Sequence, residues 1–261
     1  TFDTNSNKVV LCYKDSGNSS RGTSIVGTVS GTGISFGSAV VFDTSTASDL
    51  SATFDTDTNK VIFAYQQGGT NTGRAVVGAV SGTSISFGST VAFDSAGGGW
   101  ISVTYDSSAS KVVIAFTDDS NSYGTAIVGT VSGTAISFGT KVVFESASSR
   151  YMSAAYDSSN NKVIIGYSDL GNSTYATAVV GTVSGTAISF GTPVVFESAA
   201  VYSLSATYDI AAGKVTISYS DDGNGQYGTL ISGTVSGTTI SFGSPSVFET
   251  AVIMGVQLSY R

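Results

Sequence analysis

Apolar and polar positions alternate with a period of two through short runs, and the runs return in the same order five times along the chain. The order is clearest over 148–198, where "SSRYMSAAYD", "NKVIIGYSD", "YATAVVGTVSG" and "AISFGTPVVFES" follow one another. Such runs, rich in Val, Ile, Thr, Tyr and Phe and punctuated by Gly, Ser, Asn and Asp, predict four strands. Within "KVIIGY", Val163, Ile165 and Tyr167 fall on one face and Ile164 and Gly166 on the other, so neither face is polar. Both faces of such a sheet need a cover, which a similar sheet on either side supplies.

The repeat sets the organisation. Lys8, Lys60, Lys111, Lys162 and Lys214 mark equivalent positions 51 or 52 residues apart, and the phrase "VSGTxISFG" recurs from Val29, Val80, Val131, Val183 and Val235. A period of this length, with four strands per period, predicts an all-β, five-bladed β-propeller of four antiparallel strands per blade. The whole of 1–261 reads as one domain, with repeats at approximately 1–52, 53–103, 104–154, 155–206 and 207–261. Ser-Gly-Thr is expected in the hairpin between the third and fourth strands, where glycine tolerates positive φ. Phe36, Phe87, Phe138, Phe190 and Phe242 then become inter-blade packing residues. The first repeat opens at "TFD", which matches only the end of a first strand. The last residues, "MGVQLSYR", resemble "VYSLSATYD", so 254–260 are expected to complete the first blade and close the ring. In that alignment Ser259, Tyr260 and Arg261 compete with Thr1, Phe2 and Asp3 for the same places.

Composition narrows the chemistry. With 18 acidic and 11 basic residues the formal charge is −7, which repels a phosphate backbone, so nucleic acid is excluded as a partner. Histidine is absent, which removes His-based triads and imidazole metal ligands. The single cysteine, Cys12, sits in the apolar run "KVVLCYK" and reads as a small buried hydrophobe, so no intrachain disulfide forms. No apolar run approaches the length of a membrane helix. We therefore expect no membrane insertion, a soluble chain, and excision from a longer or processed precursor.

Successive turns of an up-and-down sheet alternate between its two ends. The turns that vary least, "DSSNNK" and "VSGT", share one end, and the variable second-to-third-strand loops and blade connections share the other. Rigid frameworks that carry varied loops are suited to binding. On the variable end Asp15, Asp118, Asp169 and Asp221 recur with Asn18, Asn121, Asn172 and Asn224. Tyr123, Tyr175 and Tyr227 follow in three loops, and Trp100, Arg150, Tyr151 and Tyr202 lie in connections such as "SAGGGW", "SASSRY" and "SAAVYS". Carboxylates and amides hydrogen-bond sugar hydroxyls, and an aromatic face covers the apolar side of a pyranose. These fifteen residues are the candidate ligand contacts, read against the simpler role of Asp and Asn in Asx-turns. "DDSN" and "DDGN" invite a calcium reading but lack EF-hand spacing, so metal ligands and cofactors are expected to be none. Asp3 with Lys8, and the four equivalent pairs, are expected to form local surface ion pairs. The acidic positions Asp43, Asp94, Glu145, Glu197 and Glu249 recur in every repeat. No distinct carboxylate pair stands out for glycosidase chemistry, so no catalytic residue is assigned.

The combined order "DxxxxK", "GTVSG" and "ISFG", as in "YDSSNNKVIIGYSD" and "AVVGTVSGTAISFGTPVVFES", resembles repeats of virion structural and tail-fibre proteins of environmental bacteriophages. The resemblance spans all five repeats and implies a virion or extracellular location, with other virion or surface proteins as partners. By blade count and length the chain is also similar to five-bladed tachylectin-type propellers, which bind sugars. The expectation is a non-enzymatic recognition module, lectin-like, that binds a host-surface glycan or receptor through the variable end. The alternative is a structural or decoration domain whose loops are neutral.

Overall fold

The computed structural model describes residues 1–259. The chain is almost wholly antiparallel strand, with helix among those residues confined to the single 3-10 turns Ser16–Asn18, Leu170–Asn172 and Asp222–Asn224. Ladder pairing divides the strands into five successive four-stranded units with a propeller-like arrangement. In the fourth, 149–157 pairs with Lys162–Asp169, which pairs with Tyr175–Ser184, which pairs in turn with Ala187–Phe190 and with 194–200. Each Ser-Gly-Thr step is a two-residue hairpin loop in which Gly31, Gly82, Gly133, Gly185 and Gly237 hold φ near +60°.

Two features depart from the sequence pattern. The outermost strand is split: Phe190 ends one short edge segment, the Gly191 amide donates to the Val180 carbonyl at 2.9 Å, and pairing resumes only at Val194. The intervening Gly-Ser or Gly-Thr step has no ladder partners in any unit. The blade connections, read as loops, are mostly strand. Val40–Asp55, Val142–Asp157 and Val194–Asp209 each run unbroken from the outer edge of one unit into the inner strand of the next. Only "SAGGGW" interrupts this course, at 95–97, where Gly97 takes φ +115°.

The apolar faces meet between units. Four buried clusters lie at the four successive contacts. The one between the third and fourth units joins Val113, Ala115, Val128 and Phe144 to Val163, Ile165, Tyr167 and Ile188. The other three repeat it with equivalent residues. The two-sided apolar strands therefore supply a separate core for each contact rather than one common core. Inner strands are stitched by one serine per unit: the amides of Val103, Ala154 and Ala206 donate to Oγ of Ser51, Ser102 and Ser153 at 3.1, 2.9 and 2.9 Å.

The expected Asp–Lys surface pairs are not what the aspartates do. Asp3, Asp55, Asp106 and Asp157 are buried and accept turn amides, as Asp157 Oδ1 does from Ser159 and Asn160 at 3.0 Å each. Backbone donors within a six-residue turn lie closer to the carboxylate than a mobile lysine ammonium, and their cost of ordering is already met by the turn. Among the described residues the ion pairs are those of Lys141, with Asp94 at 2.7 Å and Asp118 at 2.8 Å.

The tail also differs from expectation. Residues 253–259 form no ladder with the first unit among the described residues; residues 260 and 261, part of the expected closing strand, lie outside them. Instead the Val256 and Leu258 amides donate to Ser203 and Ser205 Oγ at 3.0 and 2.9 Å. The tail thus lies in the lane that the inner strand of a following unit would occupy. Phe2–Asp3 is the inner strand of the first unit among the described residues.

Candidate functional site

Each long strand enters its inner lane through the same backbone device. Asp49, Trp100, Tyr151 and Ser203 adopt φ of +48°, +51°, +53° and +52°, each within a register shift of the inner ladder. Positive φ is uncommon for side chains other than Gly, Asn and Asp, and for a bulky aromatic it marks a strained position. The bulges bring one residue per unit to a common cavity, at the end where connections and second-to-third-strand loops gather.

There the side chains enclose a cavity of about 400 Å³ lined by Asp49, Leu50, Trp100, Ile101, Tyr151, Met152, Ser203, Leu204 and Met254. The Trp100 and Tyr151 rings stand 4.4 Å apart and tilted, and Tyr202 meets Tyr151 nearly perpendicular at 5.8 Å. Trp100 and Tyr202 remain substantially exposed. Two smaller cavities flank the cluster at equivalent places in successive units. One, of about 190 Å³, includes Arg150, Thr174 and Tyr202. The other, of about 220 Å³, includes Tyr202, Ser220 and Gln226. Asp119 lies against the backbone at Gly97 and Gly99 and accepts from Gln66 Nε2 at 3.1 Å. Burial, with Asp49, Asp94 and Asp118 nearby, raises its carboxyl above the ordinary aspartate range. A cavity of about 280 Å³ at the opposite end of the inner strands, lined by Thr104, Ala155, Tyr156 and Tyr208, has no loop of variable sequence over it.

The fifteen residues singled out from sequence divide. Trp100, Arg150, Tyr151 and Tyr202 come together at this cavity and its two flanking ones. The loop aspartates are occupied in turns. Asp15 accepts from the Gly17 amide, Asp169 from Gly171 and Asn172, and Asp221 from Gly223. Asp118 holds Ser120 and Lys141. Asn121 accepts from the Tyr123 amide at 2.8 Å and Asn18 from the Arg21 guanidinium at 3.4 Å, while Asn172 and Asn224 sit within the 3-10 turns. Tyr123, Tyr175 and Tyr227 are half-buried across the ladder from Asp118, Asp169 and Asp221. Sequence reasoning missed Asp49, Ser203 and Met254. The available signal was positional: Asp49, Trp100, Tyr151 and Ser203 occupy one place in the repeat, before an aliphatic residue and a serine, and differ there in every copy.

The recurrent acidic positions belong to the contacts between units. The Tyr65 hydroxyl donates to Asp43 at 2.7 Å, Tyr167 to Glu145 at 3.2 Å and Tyr219 to Glu197 at 3.3 Å. Burial, together with the facing carboxylate, raises each of these phenols above its ordinary range. Where the third unit has Phe116 in place of tyrosine, Lys141 takes over as partner of Asp94. No group of three or more Asp, Glu, Cys or His side chains among the described residues is placed to hold a metal ion.

No protein-family model and no curated protein matches the chain. Among solved structures it is similar to AofleA from Arthrobotrys oligospora, with a TM-score of 0.56 at 8% identity, over 96% of this chain and 74% of that one. A neuraminidase-like protein of a flat-faced bat strain matches over 91% of this chain and 73% of that one, at 11% identity and a TM-score of 0.39. The first likeness places the all-β fold among known architectures and leaves the chemistry to the site.

Proposed function

We propose that the chain is a non-enzymatic recognition module, its five units acting as propeller blades, which binds a glycan at the aromatic-lined cavity in a virion or extracellular setting. The observation that carries the reading is the presentation of Trp100 and Tyr151 from strained, equivalent bulges into one cavity that Asp49 also lines, with the Asp119 carboxylate near Asp49. Strain kept in several copies at one rim is accounted for by what the side chains do there. Two tilted rings offer apolar faces to a pyranose, and the carboxylates accept from its hydroxyls. The recurrent Asp and Glu positions are engaged across the contacts between units, apart from Glu249, so they supply no free acid–base pair.

A glycan array followed by calorimetry tests this. Trp100→Ala and Tyr151→Ala should each weaken binding at least about tenfold, the equivalent of ~1.4 kcal/mol. Tyr156→Ala, at the opposite end, should leave it unchanged. Trp100→Gly makes a sharper control, because glycine accepts φ +51° without strain. That variant should unfold at the same or a higher temperature and yet lose the ligand. Retained affinity in both Trp100 variants would sink the proposal.

A further inference from the structure

At each contact inside the row, an acidic residue on the outer strand of one unit lies near the residue that closes the second strand of the next: Gln67, Asp118, Asp169 and Asp221 in turn. The first two contacts hold a nitrogen donor there. Asp43 Oδ2 accepts from Gln67 Nε2 at 2.8 Å and from the Tyr65 hydroxyl at 2.7 Å. Lys141 Nζ donates to Oδ2 of both Asp94 and Asp118, at 2.7 and 2.8 Å. The two contacts that follow lack such a donor, because Asp169 and Asp221 replace the Gln67 amide, and Pro193 and Pro245 replace Lys141. Across the contact, Glu145 and Glu197 keep the tyrosine hydroxyl at 3.2 and 3.3 Å, longer than the ~2.6 Å usual for a hydroxyl on a carboxylate. Asp169 and Asp221 hold their turn amides with Oδ1. Their Oδ2, the oxygen through which Asp118 takes Lys141, has no donor among the described residues.

The chain brings no cation to either pair. Beyond Arg150 the basic residues among those described are Lys162 and Lys214, and each stands at the other end of an eight-residue strand from Asp169 or Asp221, about 23 Å away. Lys141 is engaged with Asp94 and Asp118, and Arg150 is exposed and forms no ion pair. The other titratable groups at this end of the packed strands are Tyr123, Tyr151, Tyr175, Tyr202, Tyr227 and Asp222, none of them a cation. Burial first, and then the charges of Asp169 and Asp221, raise the Glu145 and Glu197 carboxyls above the ordinary glutamate range; burial, with Asp222, raises Asp221. We propose that a single proton taken from solvent bridges each pair, Glu145 with Asp169 and Glu197 with Asp221, and that its loss toward neutral pH loosens the last two inner contacts. A carboxyl held above its unfolded range contributes stability below that range and loses it as pH rises through its folded value. These two contacts therefore tighten in acid, whereas the Lys141 contact is strongest near neutrality, so pH selects which part of the row is held most firmly.

Carboxyl-carbon NMR reads the pairs directly, and urea melts at pH 4 and pH 7 read the contacts. In the wild-type protein Glu145 and Glu197 should titrate above the ordinary glutamate range. Pro193→Lys, which gives one pair the Lys141 arrangement, should bring Glu145 below its wild-type value and leave Glu197 unchanged. Relative to wild type, the urea midpoint of the double variant Glu145→Gln, Glu197→Gln should rise by at least about 0.3 M between pH 4 and pH 7, because an amide does not ionise. Glutamates that titrate in or below the ordinary range would overturn the proposal, and so would a midpoint difference that stays constant with pH. A rise in the wild-type midpoint on adding calcium chloride at pH 7, absent from the glutamine variant, would assign the gap to a metal ion and equally overturn it.

Discussion

Lys141 shows how one side chain repairs a lapse in the repeat. Phe116 lacks the hydroxyl that its equivalents give to the preceding unit, and Asp94 and Asp118, both nearly buried, would otherwise face each other without a counter-charge. Burial alone would raise the Asp118 carboxyl, but hydrogen bonds from Lys141 and Ser120 outweigh it and hold it below the ordinary range. Burial likewise disfavours the Lys141 ammonium, yet its bonds to Asp118 and Asp94 raise it. The depressed carboxyl contributes stability above the unfolded aspartate range, which is lost as pH falls through its folded value. The raised ammonium contributes stability below the unfolded lysine value, which is lost as pH rises through its folded one. The bridge therefore acts across the neutral plateau between those limits. Lys141→Met should cost about 1–3 kcal/mol at pH 7, the range for leaving a buried polar group without its partner. The cost should shrink toward acid as the aspartates take up protons; urea melts at pH 7 and pH 3 measure it, and an equal loss at both would refute the linkage. Cys12 needs no such partner, since burial pushes its thiol up to about 11 and keeps it neutral.

At the scale of the element, the end of each edge strand tests how tightly units abut. A β-carbon on Gly139 would overlap the carbonyl oxygen of Thr186 in the next unit, whereas one on Gly243 finds only the Ser232 carbonyl at 3.8 Å. Backbone cannot yield as a flexible side chain does. Gly139→Ala should therefore cost more than about 2 kcal/mol, and Gly243→Ala should stay within ~0.5 kcal/mol. Chemical denaturation of the two variants decides it, and equal costs would contradict the arrangement of units. The hairpins and the two-sided strands were legible in the sequence because a period of two and a Gly-bearing hairpin step leave direct marks. The split outer strand and the strand-like connections were not, since Gly-Thr and Ala-Ser steps suit both bend and strand. Half of the site was legible for a related reason. Trp100 and Tyr151 stand out as aromatics in variable segments, but Asp, Trp, Tyr and Ser share no backbone preference that would reveal a common bulge at Asp49, Trp100, Tyr151 and Ser203. The loop aspartates misled because the same carboxylate that suits a sugar hydroxyl also suits a turn amide, and the amide is covalently near.

For the whole molecule, stability is a sum over contacts between neighbours, and those contacts are unequal. Units two, three and four are covered on both faces; the first and fifth are covered on one. The fifth differs further, since Thr216, Ser218 and Ser232 stand where the fourth unit has Ile164, Gly166 and Val180. Leu230 replaces the small Ala178 on the same face, and the Ser218 hydroxyl is buried there without a partner. That face is the outward one of the last unit, met among the described residues only by the tail around 255–258, so it buries little apolar surface, and an unsatisfied hydroxyl costs about 1–3 kcal/mol. Opening should accordingly begin at the fifth unit and spread inward. In native-state hydrogen exchange the amides of Tyr227–Ser236 should exchange well before those of Tyr123–Ser132, with the outer strands leading. Ser218→Ala, which removes the orphan hydroxyl without altering the ladder, should slow exchange in Tyr227–Ser236 and leave the third unit unchanged. Uniform protection across all five units would mean instead that the row unfolds as one cooperative block, and that the polar face of the last unit carries no energetic weight.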